Sequence, residues 1–266
     1  MSLLNYISIS VLSLFTTFIF IGFILYSDRK SREPIYMILL CLVSCTFTIC
    51  LSLLLGQILL PKLEIISTGL FSYSTHSTIK ILMLALVEEY SKLIVLYLFI
   101  SKNSNFDDIF DGFVYATLIA LSFAALESLI YVFNETNIDS MKSLAILRGI
   151  TTVPLHLICG IVMGHYMGVE KFSWGTKRRV FNLMKCLLIP TILHFAYNYT
   201  LTNLISKLSN DGMLIICMII FFIPFYIIAI FYLEKTKFLN DKFITNEKYK
   251  HLMTKNEYNE IVSKQY

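Results

Sequence analysis

Long apolar stretches recur along this chain and restrict its fold more than any other feature. A helix needs about 20 apolar residues to cross a bilayer, and inside lipid only helices and closed barrels pair all of their backbone polar groups. Because 56% of the residues are hydrophobic and only 15% are charged, a soluble fold could not bury so much apolar surface. We therefore predict an all-α, polytopic bundle of about seven transmembrane helices, at residues 4–26, 35–60, 78–101, 109–134, 143–168, 182–204 and 213–233.

The distribution of basic residues predicts the orientation of this bundle, since Lys and Arg next to spans stay cytoplasmic. Of the 22 Lys and Arg residues, 16 lie on one side of the predicted spans and four lie on the other. With seven spans, this places the N-terminus outside and the C-terminus in the cytoplasm. Residues 1–233 then form one transmembrane domain and residues 234–266 a polar cytoplasmic tail. The net charge of +4 follows from this bias and requires no nucleic-acid partner. Residues 4–26 are expected to be a true span, because their apolar run exceeds the roughly 7–15 residues of a signal-peptide core.

Polar side chains that usually avoid lipid interrupt four of the predicted spans. The third span carries Glu88, Glu89 and Lys92, although a charge at the bilayer centre is costly on every insertion scale. Such residues face a protein interior or a water-filled cavity and mark functional sites. Spans four to six contribute Glu127, Arg148, His156, His194 and Asn198. These are side-chain types that bind metals, move protons or stabilise an oxyanion.

If the spans are helical, these polar residues lie at similar depths in the membrane. Counted from the outer ends of their spans, Glu88, Glu127, His156 and His194 fall within roughly 9 Å of one another. Asn198 is four residues after His194 and shares its helix face. The sequence therefore predicts one shared site between the membrane midplane and the outer face.

Helical spacing also predicts two contacts. Glu88 and Lys92 are four residues apart, in the order that favours an ion pair. Gly160, Gly164 and Gly168 form a small-xxx-small ridge on the fifth span, which lets a neighbouring helix approach closely.

Each feature also has a purely structural interpretation. A Glu/Lys pair, a His or an Asn can join neighbouring helices, and Arg148 lies near the end of its span, where it can reach the headgroups. Asp107 or Asp108 is expected to cap the fourth helix. The six cysteines lie in the spans without a CxxC pair, so we expect them to pack as small apolar residues. These interpretations do not explain why glutamates and histidines share one depth.

Five short motifs occur in order along the same spans. They are EExxK (Glu88, Glu89, Lys92), FDGxxY (Phe110, Asp111, Gly112, Tyr115), FAxxE (Phe123, Ala124, Glu127), an Arg before xxPxH (Arg148, Pro154, His156) and HxxxN (His194, Asn198). In this order they resemble the PrsW family of intramembrane proteases, distant relatives of the CAAX prenyl endopeptidases. The resemblance covers residues 78–200 and departs at Ser128, where the family often has Asn.

The resemblance implies hydrolysis of a peptide bond in or beside a bacterial cell membrane. Substrates of such proteases are typically membrane-anchored regulators, such as an anti-sigma factor. We therefore expect a membrane-anchored protein as the partner and a motif-bearing core at residues 78–204. The expected catalytic residues are Glu88, Glu89, Glu127, His156, His194 and Asn198.

These residues allow hydrolysis with or without a metal. Without one, Glu88 or Glu89 would take a proton from water, which His156 or Glu127 would orient, and His194 with Asn198 would donate to the oxyanion. With one, Glu89, His156 and His194 would hold zinc, as the usual classification of the family implies, and another glutamate would act as the base. The chain contains no HExxH signature, and both schemes stay open at this point.

Two other classes of function compete with a protease. An intramembrane Glu/His chain could relay protons in a transporter or channel, but the sequence shows neither inverted repeats nor paired Gly/Pro interruptions of the site-bearing spans. A membrane scaffold without catalytic activity is the third possibility. The ordered motifs favour the protease.

Overall fold

A computed structural model describes residues 3–29, 32–68, 73–172, 176–203 and 211–249. Within these ranges the chain is mostly helical and contains no strand, which confirms the all-α prediction. The helices are α1 (Leu3–Ser27), α2 (Ile35–Thr68), α3 (Tyr73–Val95), α4 (Ile109–Phe133), α5 (Ile138–Ile150), α6 (Thr152–Lys171), α7 (Thr176–Asn203) and α8 (Asp211–Tyr249), and α3 continues into a π-helical turn, Leu96–Ile100. Residues 250–266 of the predicted tail lie outside the described ranges.

Five stretches of the described chain are long and apolar enough to cross a membrane: α1, α2 as far as Glu64, α4, α5 together with α6, and α7. The chain therefore has the helices of a multi-pass membrane protein. The count of about seven spans and the positions of the termini stay predictions. The division of the chain at residue 233 also stays a prediction, and α8 runs across it as one helix from 211 to 249.

The fifth predicted span is not one continuous helix, which corrects the sequence analysis. α5 ends at Ile150 and α6 begins at Thr152, with Thr151 between them at φ −123° and ψ −60°. Pro154 accounts for the break, because it has no N–H to donate to the carbonyl of Ile150 and its ring would clash with that oxygen. The hydroxyl of Tyr197 in α7 bridges the gap, at 2.9 Å from the Thr151 hydroxyl and 2.8 Å from that of Thr152.

Helices α4 and α6 pack backbone against backbone along a line of glycines. A Cβ atom added to Gly112 would lie 2.6 Å from the carbonyl oxygen of Gly164. One added to Gly164 or Gly168 would collide with the carbonyl oxygen of Gly112 or Ile109. The predicted close approach at the glycine ridge is therefore confirmed, and α4 is the helix that meets it.

Side chains from two parts of the chain hold the N-terminal end of α4, which the basic residues predict to be its inner end. Asp108 is the N-cap, one of the two that the sequence allowed, and it accepts a hydrogen bond from the amide of Asp111 at 3.0 Å. Asn240 of α8 accepts hydrogen bonds from the amides of Ile109 and Phe110 at 2.8 and 3.2 Å. These contacts pair amide groups that the first turn of a helix leaves without intrahelical partners, and they join α8 to α4.

The loop between α1 and α2 packs on the same end. The hydroxyl of Tyr115 donates a hydrogen bond to the carboxylate of Glu33, and the amide of Glu33 donates one to Asp28 Oδ2 at 3.1 Å. Both carboxyl groups are buried, and burial raises the pKa of Asp28 to about 7 and also raises that of Glu33. Asp111 and Tyr115 of the FDGxxY motif thus lie at this end, and 16 residues, or about 24 Å of helix, separate Asp111 from Glu127.

Replacing Gly164 by Ala should destabilise the bundle by about 1–3 kcal/mol or more, because the added methyl group pushes α4 away from α6. The measurement is unfolding of the purified protein in mixed detergent micelles under increasing SDS. Gly22→Ala is the matched control, since no atom of the described residues outside its own helix backbone lies within 4 Å of a Cβ atom added at Gly22. Equal stability of the two variants would contradict the packing described for α4 and α6.

Asp28→Asn should raise the melting temperature at pH 8 while leaving it unchanged at pH 4. The pKa of Asp28 lies near 7 in the folded chain against an ordinary value of 3.8, so the fold favours the protonated form. That contribution to stability is present in full below the ordinary pKa and is lost as the pH rises through the folded one. The amide keeps the acceptor for the Glu33 amide without the buried charge. A melting-temperature difference that does not change between pH 4 and pH 8 would contradict this assignment.

Candidate active site and metal centre

A buried ion pair lies in α3 at the predicted site. Lys92 Nζ is 2.7 Å from Glu89 Oε1, and both side chains are almost completely shielded from solvent. The pair therefore forms with Glu89, three residues away, and not with Glu88 as the four-residue spacing had suggested. Both spacings bring side chains together on a helix, and contacts with other helices decide between them.

The ammonium group of Lys92 also fixes the orientation of His156 in α6. Lys92 Nζ is 2.9 Å from His156 Nδ1. Because an ammonium group only donates hydrogen bonds, Nδ1 accepts this one and the ring proton lies on Nε2. His156 Nε2 is 3.0 Å from Glu127 Oε2 in α4, to which it donates. Phe123 lies beside both groups, with Lys92 Nζ 4.4 Å from its ring centre.

Arg148, at the end of α5, holds Glu127 from the other side. Its Nη2 is 2.7 Å from Glu127 Oε2, and its Nε donates to the hydroxyl of Ser128 at 3.1 Å. The guanidinium also lies over the ring of Tyr131, 4.5 Å from its centre. Arg148 therefore belongs to the site and does not reach to the headgroups. Ser128, the departure from the PrsW pattern, serves as an acceptor for it.

His194 of α7 completes the cluster by contacting both adjacent glutamates of α3. Its Nδ1 donates to Glu89 Oε1 at 2.8 Å, because an ionised carboxylate only accepts hydrogen bonds. The other ring nitrogen, Nε2, lies 3.6 Å from Glu88 Oε2 and carries a lone pair when the ring is neutral. The His156 and His194 rings meet edge to face, with centres 5.0 Å apart.

Two carboxylate oxygens in this cluster have no hydrogen-bond partner in the described part of the chain. They are Glu88 Oε2 and Glu89 Oε2, both buried. An orphaned carboxylate oxygen beside an imidazole lone pair is the donor arrangement that a divalent metal requires. Glu88, His156 and His194 each offer one ligand atom, and these atoms lie within 4.8 Å of one another. The residues present therefore fit a metal ion.

The structure brings most, but not all, of the predicted site residues together. It brings Glu88, Glu89, Glu127, His156 and His194 together, with Glu88 and not Glu89 in the group of three that could hold a metal. Asn198 is partly buried and its amide makes no hydrogen bond with the residues described. The catalytic roles of all six stay predictions.

Sequence reasoning gave no role to two residues that the structure places in the cluster. Phe123 packs against the Lys92 ammonium group and the His156 ring, and the only sign of this was its position in the FAxxE motif. Tyr197 hydrogen-bonds the break between α5 and α6. It faces the same helices as His194, three residues earlier, and the helical spacing would have allowed that placement.

A groove leads from this cluster between three helices, towards the ends of α2 and α3 that carry Glu64 and Lys80. It has a volume of about 430 Å³, and α2, α3 and α4 line it. Glu88 and Glu127 are among the lining residues, whereas Glu64 and Lys80 lie towards the helix ends that the basic residues place outside. The candidate site is therefore accessible from the side of the bundle.

Comparison with known proteins identifies relatives of this chain. A sequence model of the PrsW family intramembrane metalloproteases matches residues 33–228. The chain is 30% identical to Protease PrsW of Clostridioides difficile over 175 residues, or 65% of this chain and 71% of the relative. It is 30% identical to Protease PrsW of Oceanobacillus iheyensis over 185 residues (68% and 78%) and to that of Bacillus subtilis over 177 residues (66% and 75%). No solved structure matches the chain.

Lys92→Met should destabilise the protein by about 3–5 kcal/mol, because it leaves the Glu89 charge buried without its cation. The double variant Lys92→Met/Glu89→Gln should recover much of this loss, since it removes both charges. The comparison is made by SDS-induced unfolding. Lys237→Met serves as the control, because its pair with Glu234 is exposed and is worth no more than about 1 kcal/mol. A double variant that is as unstable as Lys92→Met would contradict the pairing.

Proposed function

The chain belongs to the PrsW family of intramembrane metalloproteases, and we propose that its peptidase site is the cluster of glutamates and histidines shared by α3, α4, α6 and α7. A protein in the membrane is the substrate class of this family, and we propose a membrane-anchored regulator, such as an anti-sigma factor, as the substrate. The observation that carries the assignment is the orphaned Oε2 of Glu88, which lies 3.6 Å from Nε2 of His194.

We assign the metal ligands as Glu88, His156 and His194. Sequence reasoning had Glu89 in place of Glu88, and the separation of the donor atoms supports the exchange. Glu89 instead accepts a hydrogen bond from Nδ1–H of His194 and so directs Nε2 of that ring towards Glu88. A carboxylate in this position behind a metal-binding histidine orients the ring and makes it a better donor. His156 must give up one of its two hydrogen bonds to act as a ligand, since both of its nitrogens are paired.

The balance of charged side chains supports a dication at this place. Three carboxylates share the site with two cationic side chains, and the two cations contact Glu89 and Glu127. Glu88 forms no ion pair with either of these cations and lies against Nε2 of His194. Carboxylate and imidazole donors with an open position are typical of catalytic zinc sites, so we propose zinc.

The proposed mechanism uses Glu127 as the general base. Its Oε2 is held by Arg148 and His156, whereas its Oε1 makes no hydrogen bond with the described residues and is available to take a proton from water in the groove. The chemistry that zinc supplies when bound is polarisation of the scissile carbonyl and a lowered pKa of water. Arg148 keeps Glu127 ionised and in place. Lys92 does the same for Glu89. Asn198, one turn after His194 in α7, would donate to the developing oxyanion.

We expect variants of the metal ligands and of the general base to differ in zinc content, although all of them lose cleavage activity. Glu88→Gln and His194→Ala should lose both the bound zinc and the activity, because each removes a ligand. Glu127→Gln should keep zinc while losing activity by at least about 100-fold, the usual contribution of a general base. Elemental analysis of detergent-purified protein gives the zinc content. Glu234→Gln, the same change at an exposed position, is the control.

The substrate for this assay is identified from membranes of cells that express either the wild-type or the Glu88→Gln chain. It is the membrane protein that shows a new terminus with the wild type only. Chelation should remove zinc and activity together, and added zinc should restore both. Full activity in metal-free protein would overturn the zinc assignment and leave Glu88 as an unaided base. Unchanged cleavage in both Glu88→Gln and His194→Ala would overturn the site itself.

A further inference from the structure

The groove beside the candidate site contains polar side chains that the packing of its helices does not explain. Most of its lining is apolar, but two uncharged polar side chains of α2, Ser52 and Gln57, also face it. Neither the Ser52 hydroxyl nor the Gln57 amide makes a hydrogen bond with the described part of the chain. Ser52 is buried, where a polar group without a partner is costly, whereas Gln57 is exposed three residues before the predicted end of its span. Both side chains are therefore free to hydrogen-bond to a molecule that enters the groove.

The position of the groove limits what that partner can be. Glu88 and Glu127 line its deep end, so whatever fills the groove reaches the carboxylates that we assign to catalysis. Its volume of about 430 Å³ lies in the range of ligand-binding clefts. Leu53 and Ile130 lie on its rim and are about half exposed, which leaves the groove open towards the lipid between α2 and α4.

A polypeptide can be cut only where its backbone is unwound, because an intact helix keeps its carbonyl groups paired and covered. Unwinding inside lipid frees N–H and C=O groups that need new partners. The Gln57 amide offers two donors and an acceptor, and the Ser52 hydroxyl offers one donor and two acceptor lone pairs. A lipid acyl chain could fill the apolar part of the groove but would leave the buried Ser52 hydroxyl unpaired.

We propose that this groove binds the substrate polypeptide as an extended, mainly apolar segment, and that Gln57 and Ser52 hydrogen-bond to its backbone. This inference rests on the proposed function and adds the direction from which the scissile bond arrives, laterally between α2 and α4. Backbone contacts of this kind fix the register of the segment without selecting its side chains, whereas the apolar lining selects apolar residues on one side of the scissile bond.

A substitution at Gly56 would block the groove. Gly56 lines the cavity, and a Cβ atom added there would meet, among the described residues and apart from the backbone of its own helix, only Leu60 Cδ1 at 3.9 Å. A larger side chain at this position would therefore extend into the groove without a clash at its own Cβ. Gly22 of α1 lies outside the groove, and in the described part of the chain only its own helix backbone comes within 4 Å of an added Cβ atom. It therefore accepts the same substitution as a control.

The experiment reconstitutes the enzyme in vesicles of phosphatidylethanolamine and phosphatidylglycerol with the membrane protein whose cleavage depends on Glu88. Gly56→Phe should lower kcat/KM by at least about tenfold with the zinc content unchanged, while Gly22→Phe should match the wild type. Gln57→Leu should raise KM by about two- to tenfold, the value of one hydrogen bond to an uncharged partner, with little change in kcat. Gln57→Asn, which keeps the amide, should lose less.

Binding is measured separately in the inactive Glu88→Gln background, where Gly56→Phe should weaken retention of the same protein. Normal cleavage by Gly56→Phe, or equal losses in Gly56→Phe and Gly22→Phe, would overturn the groove as the binding place. An unchanged KM in Gln57→Leu would overturn backbone recognition and point to an acyl chain as the occupant. The proposed function fails by a different result, continued cleavage by the Glu88→Gln and His194→Ala enzymes.

Discussion

The ammonium group of Lys92 holds the centre of this bundle together. It is almost fully buried, and it contacts Glu89 on its own helix, His156 on α6 and the ring of Phe123 on α4. Taking a cation out of water is expensive unless several partners replace the water. Because these partners come from three helices, the cost of burying Lys92 can be met only when α3, α4 and α6 are packed in one arrangement.

Much of the fold could be predicted from the sequence because it follows from composition and short-range spacing. Apolar length predicted the helices, and the glycine spacing of α6 predicted a close helix contact. The break at Thr151 was missed although Pro154 was visible, since hydropathy alone does not register a missing hydrogen bond.

The predicted pair of Glu88 with Lys92 failed for a different reason. Two carboxylates on one helix compete for the same cation, and histidines from other helices decide the outcome.

The motifs of the chain divide between two ends of the bundle with different tasks. Residues of EExxK, FAxxE and HxxxN meet in the cluster, and Arg148 and His156 join them from α5 and α6. The FDGxxY residues lie at the inner end, where Asp111 and Tyr115 organise the start of α4 and the loop before α2. The sequence could show that these motifs recur in order, but only the packing separates the reactive groups from those that hold the scaffold.

The contact of Asn240 with the first amides of α4 has a consequence for how the chain is made. Those amides belong to residues that emerge from the ribosome about 130 positions before Asn240 does. During synthesis the start of α4 must therefore rely on water or on its own Asp108 cap until α8 arrives. The inner end of the bundle is thus completed last, and a nascent chain released before residue 240 would insert most of its apolar helices while leaving this end open.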